Sequence, residues 1–220
     1  MIFSAGQRVV FIGDSITDCD RRGAAAPYGD GYVELVRSLV IARYPELGLT
    51  WVNRGIGGDT VRDLAQRWEA DAIGTAPDWL SVMIGINDIW HSFGSQPERA
   101  VPIEEYATTL RELLRRAVDR TGCRLIVAEP YIIEPDRAEA QRAATDRYCL
   151  VAREIAAELN AVVVRTQDAF DEVLRVTAPA DWADDRIHPN RPGHAVIAQE
   201  FLRALDFSLA PASKLDPLRG

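Results

Sequence analysis

The amino-acid pattern predicts an α/β fold: a parallel sheet with helices packed on both faces. Three observations carry this. Five short apolar runs of strand length, rich in β-branched residues, recur along the chain. Longer stretches with apolar residues at helical spacing separate them. The runs are near-continuously apolar rather than alternating, as in a sheet buried on both sides. Strands that alternate with helices make right-handed crossovers. The default for five such units is a three-layer α/β/α, flavodoxin-like sheet in the order 2-1-3-4-5.

The first run, residues 8–12, is a short buried strand that ends at Gly13. Residues 32–44 read as a helix with Leu35, Leu39 and Ala42 on one face, stopped by Pro45. Trp51, Val52 and Asn53 form the second strand, which runs into Gly55, Gly57 and Gly58. Thr60 is an N-cap for a helix over 61–73. Residues 79–84 are the third strand, again ending at a glycine, Gly85. The helix over 103–120 lines up Tyr106, Leu110, Leu113, Leu114 and Ala117, and Gly122 closes it. A fourth strand (125–128), a long helix (137–159), a fifth strand (162–164) and helices over 169–176 and 193–205 complete the series. Trp68 and Trp79 are core candidates. No linker, repeat or low-complexity segment interrupts residues 1–205, so residues 1–207 read as a single domain. Residues 208–220, with Pro211, Pro217 and no periodicity, read as a C-terminal extension.

Composition narrows the function classes. The 220 residues carry 25 basic and 33 acidic side chains, a net charge of −8. An acidic chain with no basic run is a poor match for nucleic acid, whose phosphates need clustered Lys and Arg. The three cysteines, Cys19, Cys123 and Cys149, contain no CxxC, which excludes a complete disulfide framework or a Cys-rich zinc site. No apolar stretch approaches the ~18–20 residues of a membrane span, and residues 1–13 lack a signal-peptide pattern. The expectation is a cytoplasmic protein with no membrane partner. A homo-oligomer is compatible with the sequence, although no interface is legible in it.

In an open α/β sheet, ligands bind beyond the carboxyl ends of the strands. The residues there are chemically unusual. Gly13-Asp14-Ser15 follows strand 1, Gly55 to Thr60 follows strand 2, Gly85-Ile86-Asn87-Asp88 follows strand 3, and Asp185-Arg186-Ile187-His188 precedes the last helix. The predicted strand order sets Ser15, Gly58 and Asn87 side by side. A serine hydroxyl becomes a nucleophile when a base takes its proton, and His188 is the candidate base. Asp185, three residues earlier, can fix the imidazole tautomer. The Ser15 and Gly58 backbone N–H groups and the Asn87 amide can stabilise an oxyanion.

Each block alone has a plainer reading. Gly-Asp-Ser is a common turn, and the glycine cluster can be a tight turn or a phosphate cradle, although it lacks GxGxxG spacing and a P-loop lysine. Asn87 and Asp88 can cap a helix. Asp185 and His188 can be a surface pair or part of a metal site, but the other histidines, His91 and His194, have no evident ligand partners. Their joint order is what favours acyl transfer.

At these blocks the sequence resembles the SGNH hydrolases, the GDSL-type esterases and lipases. Phe11-Ile12-Gly13-Asp14-Ser15-Ile16 resembles the nucleophile block, Asn53 to Thr60 the oxyanion-glycine block, Gly85-Ile86-Asn87-Asp88 the asparagine block, and Asp185 to Pro189 the acid–base block. The resemblance covers about residues 10–205. It implies serine-dependent ester hydrolysis without a cofactor or metal, with Ser15, Asp185 and His188 catalytic. Gly58 to Trp68 and Pro77 to Trp90 resemble the bacterial acetylxylan esterase branch, although Asp184 stands where that branch carries an aromatic. The expected substrate is therefore a short acyl ester, an O-acetylated sugar or xylo-oligosaccharide. The alternatives are a lysophospholipase or acyl-thioesterase on the same scaffold, and a non-catalytic flavodoxin-like binding module.

Other residues stay open at this level. Asp14 is either a brace for the nucleophile loop or an ordinary turn residue. Trp90 and Tyr131, beyond strand ends, either line a substrate cleft or pack in the core. Arg54 is substrate-facing or a surface charge, and His194, at the start of the last helix, reads as structural.

Overall fold

The computed structural model describes residues 1–210. Five strands form one sheet: β1 (Arg8–Gly13), β2 (Thr50–Gly55), β3 (Trp79–Met83), β4 (Arg124–Ala128) and β5 (Val162–Val164). Their order is β2-β1-β3-β4-β5, and every pairing is parallel. This is the predicted topology. Gly13 pairs with Gly55 on one side and with Met83 on the other, so the three chain segments leave the sheet at the same level.

Among the described residues eight α-helices accompany the strands: α1 (Ser15–Asp18), α2 (Tyr32–Arg43), α3 (Val61–Asp71), α4 (Ile86–Trp90), α5 (Ile103–Thr121), α6 (Ala140–Glu158), α7 (Thr166–Val173) and α8 (Arg191–Ala204). The alternation along β1 explains the layers. Val9 and Phe11 enter a core with α2, α7 and α8, whereas Val10 and Ile12 enter a second core with α3, α5 and α6. Trp79 and Trp68 are fully buried, as expected, and lie one in each core.

Local chemistry sets the boundaries. Thr60 caps α3 in a reciprocal capping box with Asp63. Gly122, at φ +70°, ends α5, whose predicted stripe from Tyr106 to Ala117 is wholly buried. Three expectations need correction. The buried face of α2 is Tyr32, Val33, Val36 and Val40, so Leu39 and Ala42 are exposed: the stripe facing α8 lies one residue further round the helix. Helix α6 starts at Ala140, because the Glu139 side chain accepts the Arg142 N–H as an N-cap. Helix α7 lies three residues earlier than predicted, started where the Thr166 hydroxyl donates to the Glu129 carbonyl. The short helices α1 and α4 were not predicted. Of the expected extension, Ser208 and Ala210 offer their carbonyls to Arg43 at the end of α2, and residues 211–220 lie outside the described residues. Among the described residues no helix is long and apolar enough to cross a membrane.

Candidate active site

The site is built on strand ends. A side chain at Gly13 would collide with the Met83 carbonyl, so glycine is required where β1 leaves the sheet. Asp14 follows as the N-cap of α1, its Oδ1 accepting the Ile16 N–H at 3.0 Å. This resolves Asp14 as a brace for the nucleophile loop. Burial pushes its carboxyl up to about 7, the Ile16 hydrogen bond opposes this, and the Asp88 and Asp59 charges add to it.

Ser15 is the first residue of α1, and its Oγ lies 3.0 Å from Nε2 of His188, 173 residues later. Nδ1 of His188 stands 2.6 Å from Oδ2 of Asp185. The other oxygen, Oδ1, accepts the backbone N–H of His188 at 2.7 Å and of Ile187 at 3.0 Å. Partial burial raises the Asp185 carboxyl, but the His188 and Ile187 hydrogen bonds outweigh it, and the group sits below the usual carboxylate range. An ionised carboxylate only accepts, so the proton belongs on Nδ1 and Nε2 is left to accept from Ser15. The acid and base side chains are about half exposed, 52% and 47%.

The second and third strand ends supply donors. Gly58 has φ +83°, a conformation that favours glycine, and a Cβ there would point into open space. Gly57 approaches so closely that its Cβ would lie 3.8 Å from that of Ser15. The backbone N–H groups of Ser15 and Gly58 find no acceptor among the described residues. Asn87, buried on α4, donates one amide hydrogen to the Asp59 carbonyl at 2.9 Å, which leaves its second hydrogen free.

Trp90 lies one turn beyond Asn87 on α4, 42% exposed, with its ring stacked 5.9 Å from that of His91. Tyr131 is a correction. It is fully buried, stacked on Phe170 at 4.6 Å, and lines no cleft. The turn after β4 drives it into the core, where its hydroxyl donates to the Ile187 carbonyl at 3.1 Å. Arg54 is a surface charge facing Asp71 at 3.8 Å. His194 is structural: its Nδ1 accepts the Tyr32 N–H, and Nε2 lies 3.3 Å from the Cys19 thiol. Burial lowers His194 to about 4 and raises Cys19 to about 12, so both are neutral at pH 7.

One supporting element was missed. Arg186, between acid and base, has φ +67°. Its guanidinium donates to Glu134 at 2.6 Å, and its carbonyl accepts the Ile133 N–H at 2.8 Å. Together with Tyr131, these bonds clamp the acid–base loop onto the segment after β4. Chemically, the assembly offers a hydroxyl, a base oriented by a carboxylate, and unpaired N–H donors beside them. Among the described residues no group of three or more His, Cys, Asp or Glu side chains could hold a metal.

Comparison with known proteins finds close relatives of this chain. The chain is 44% identical to the acetylxylan esterase of Geobacillus stearothermophilus over 214 residues, 94% of this chain and 97% of that protein. The crystal structure of that organism's acetylxylan esterase Axe2 superposes with a TM-score of 0.91 at 43% identity, covering 94% of this chain and 98% of that one. Catalytic mutants of Axe2 alter a serine, an aspartate and a histidine three residues after the aspartate. LAE5, an α/β hydrolase from the metagenome of Lake Arreo, superposes with a TM-score of 0.89 at 44% identity, covering 94% and 98%. Residues 11–196 match the GDSL-like Lipase/Acylhydrolase family. With most of its length matched, the chain belongs to that family of ester hydrolases.

Proposed function

We propose that the protein is a serine esterase that removes acetyl groups from O-acetylated xylo-oligosaccharides. The observation that carries this reading is the relay from Ser15 Oγ to His188 Nε2 at 3.0 Å and on to Asp185 at 2.6 Å. Ser15 Oγ attacks the ester carbonyl carbon while His188 Nε2 takes its proton. The carbonyl π pair moves to oxygen, and the oxyanion is held by the Ser15 and Gly58 N–H groups and the free hydrogen of Asn87. The tetrahedral adduct collapses, the C–O bond to the sugar breaks, and His188 returns the proton to the departing oxygen. Water then attacks the acetyl-serine with His188 as base, acetate leaves, and Ser15 regains its proton. Asp185 stabilises the transient imidazolium throughout.

The substrate side rests on the acetylxylan esterase relatives and on Trp90, whose exposed ring beside Asn87 suits the apolar face of a sugar. The half-exposed acid–base pair suits a substrate that approaches from bulk solvent. The free thiols of Cys19, Cys123 and Cys149 fit a reducing compartment, which we take to be the cytoplasm.

The test compares wild type with Ser15→Ala on acetylated xylo-oligosaccharides and on p-nitrophenyl esters of rising chain length. The expected outcome is acetate release by wild type, a preference for the shortest acyl group, and a loss of ~10³-fold or more in the variant. Equal rates for the two proteins would remove Ser15 as nucleophile, and a long-chain optimum would remove the acetyl assignment.

A further inference from the structure

Arg67, on α3, has no place in the relay just described, yet its guanidinium bonds to residues at the ends of both β1 and β2 and to Asp59. Nε and Nη2 each lie 2.7 Å from Oδ2 of Asp59. Nη1 donates to the Arg54 carbonyl at 2.7 Å and to Asp71 at 3.1 Å. Nη2 also donates to the Gly13 carbonyl at 3.0 Å. Three segments therefore converge on one rigid planar group: the end of β1 two residues before Ser15, the end of β2, and the residue after Gly58.

Asp59 gives this convergence its meaning. Its carboxylate is held by Arg67, and its carbonyl accepts the amide hydrogen that orients Asn87. Its own amide nitrogen follows directly on Gly58. The Gly13 carbonyl likewise accepts both Arg67 and the Ile56 N–H, tying the start of the glycine loop to the nucleophile strand. The guanidinium thus grips the backbone two residues before Ser15 and, through the Asp59 carboxylate, the residue that follows Gly58 and whose carbonyl holds the Asn87 amide.

Attaching α3 to the sheet does not require this. Val61, Leu64 and Trp68 are fully buried and make that contact with apolar surface. Only 14% of the Arg67 side chain is exposed, and taking a guanidinium out of water is costly unless its donors are engaged. A forked cation with partners in several directions is a device for fixing angles and distances.

We propose that Arg67 is a positioning residue that sets the spacing between the nucleophile and the oxyanion donors. This rests on the serine-esterase reading and adds to it the group that holds the two halves of the site in register. A shift of about 1 Å in such a site can cost on the order of 10²-fold in rate.

The experiment compares wild type, Arg67→Met, Arg67→Lys and Asp59→Asn. It measures thermal unfolding, kcat and KM on p-nitrophenyl acetate, affinity for an alkylboronic acid that mimics the tetrahedral adduct, and labelling of Ser15 by a fluorophosphonate. In folded variants kcat is expected to fall by about tenfold or more, with KM within about threefold and boronate affinity falling in parallel. Arg67→Lys should resemble Arg67→Met, because a single ammonium cannot span the partners. If Arg67→Met does not fold, Arg67→Lys and Asp59→Asn carry the same test. A folded Arg67→Lys that keeps kcat within about twofold overturns the proposal, as does a loss confined to KM. Failure of the fluorophosphonate to label wild-type Ser15 would instead sink the underlying serine reading.

Discussion

Asp14 and Asp88 are carboxyl groups placed where a charge is poorly solvated. Burial raises both to about 7, from an ordinary value of 3.8. The folded chain therefore retains protons that the unfolded chain releases between those two values. Stability conferred by the protonated form is present at low pH, declines as pH rises from about 4 to about 7, and is level above that. Asp88 accepts the Val61 N–H at 3.0 Å, a bond that an amide oxygen can also accept. Asp88→Asn should therefore flatten the fall in melting temperature between pH 5 and pH 8. Thermal unfolding across that range checks this, and parallel slopes for the two proteins would contradict it. Tyr131→Phe removes the donor to the buried Ile187 carbonyl and should cost ~1–3 kcal/mol. It should also lower kcat by loosening His188, which denaturant titration and steady-state kinetics would read separately. Ser15, Asp185 and His188 were legible in the sequence because their chemistry is carried by residue type and order. Arg67 and Arg186 were not. The meaning of Arg186 depends on Glu134, 52 residues away, and that of Arg67 on the carbonyls of Gly13 and Arg54 and the carboxylate of Asp59. Tyr131 was left undecided for a related reason: its place beyond a strand end is a property of sequence, whereas the direction of its ring is a property of packing.

At the scale of elements, capping chemistry was the most readable signal. Thr60 and Gly122 were assigned from their types and spacing, and both cap as expected. Gly122→Ala meets no atom within 4 Å, so its cost is that of φ +70° alone, about 1 kcal/mol. Thr60→Ala removes the capping box and should cost about 1 kcal/mol. It should also reduce kcat, because Thr60 sits two residues after Gly58; Gly122→Ala, at the far end of α5, should leave kcat unchanged. Melting curves and initial rates on both variants test the contrast, and an equal kcat loss in the two would refute it. The central strands β1, β3 and β4 were readable within a residue or two because two-sided burial makes them continuous apolar runs. Helices α1 and α4 span only 4 and 5 residues, too short to display a helical period, and they arise from tertiary contacts at the sheet edge. The exposed Leu39 marks a further limit: α2 carries apolar residues on adjoining stripes, and only the partner helix α8 decides which is buried.

At the scale of the whole molecule, topology was legible because the alternation of strands and helices admits few arrangements. What could not be read was which strand residue feeds which of the two cores that the sheet separates, since alternate residues along each strand point to opposite faces. Leu114 is fully buried on the inner face of α5, and Leu114→Ala should cost about 2–5 kcal/mol, as a cavity on that face, while leaving KM unchanged. Denaturant titration would measure it, and a KM shift would show that the two faces are coupled. The order β2-β1-β3-β4-β5 has a kinetic corollary. Every strand pair awaits a crossover, so the chain closes large loops before it gains native contacts, a pattern associated with slow folding. Ser15 emerges early in synthesis and must wait 173 residues for its imidazole. A nascent or refolding chain can thus regain much of its helix content while still inert. After dilution from denaturant, ester turnover should return with the slowest phase, behind the circular-dichroism signal.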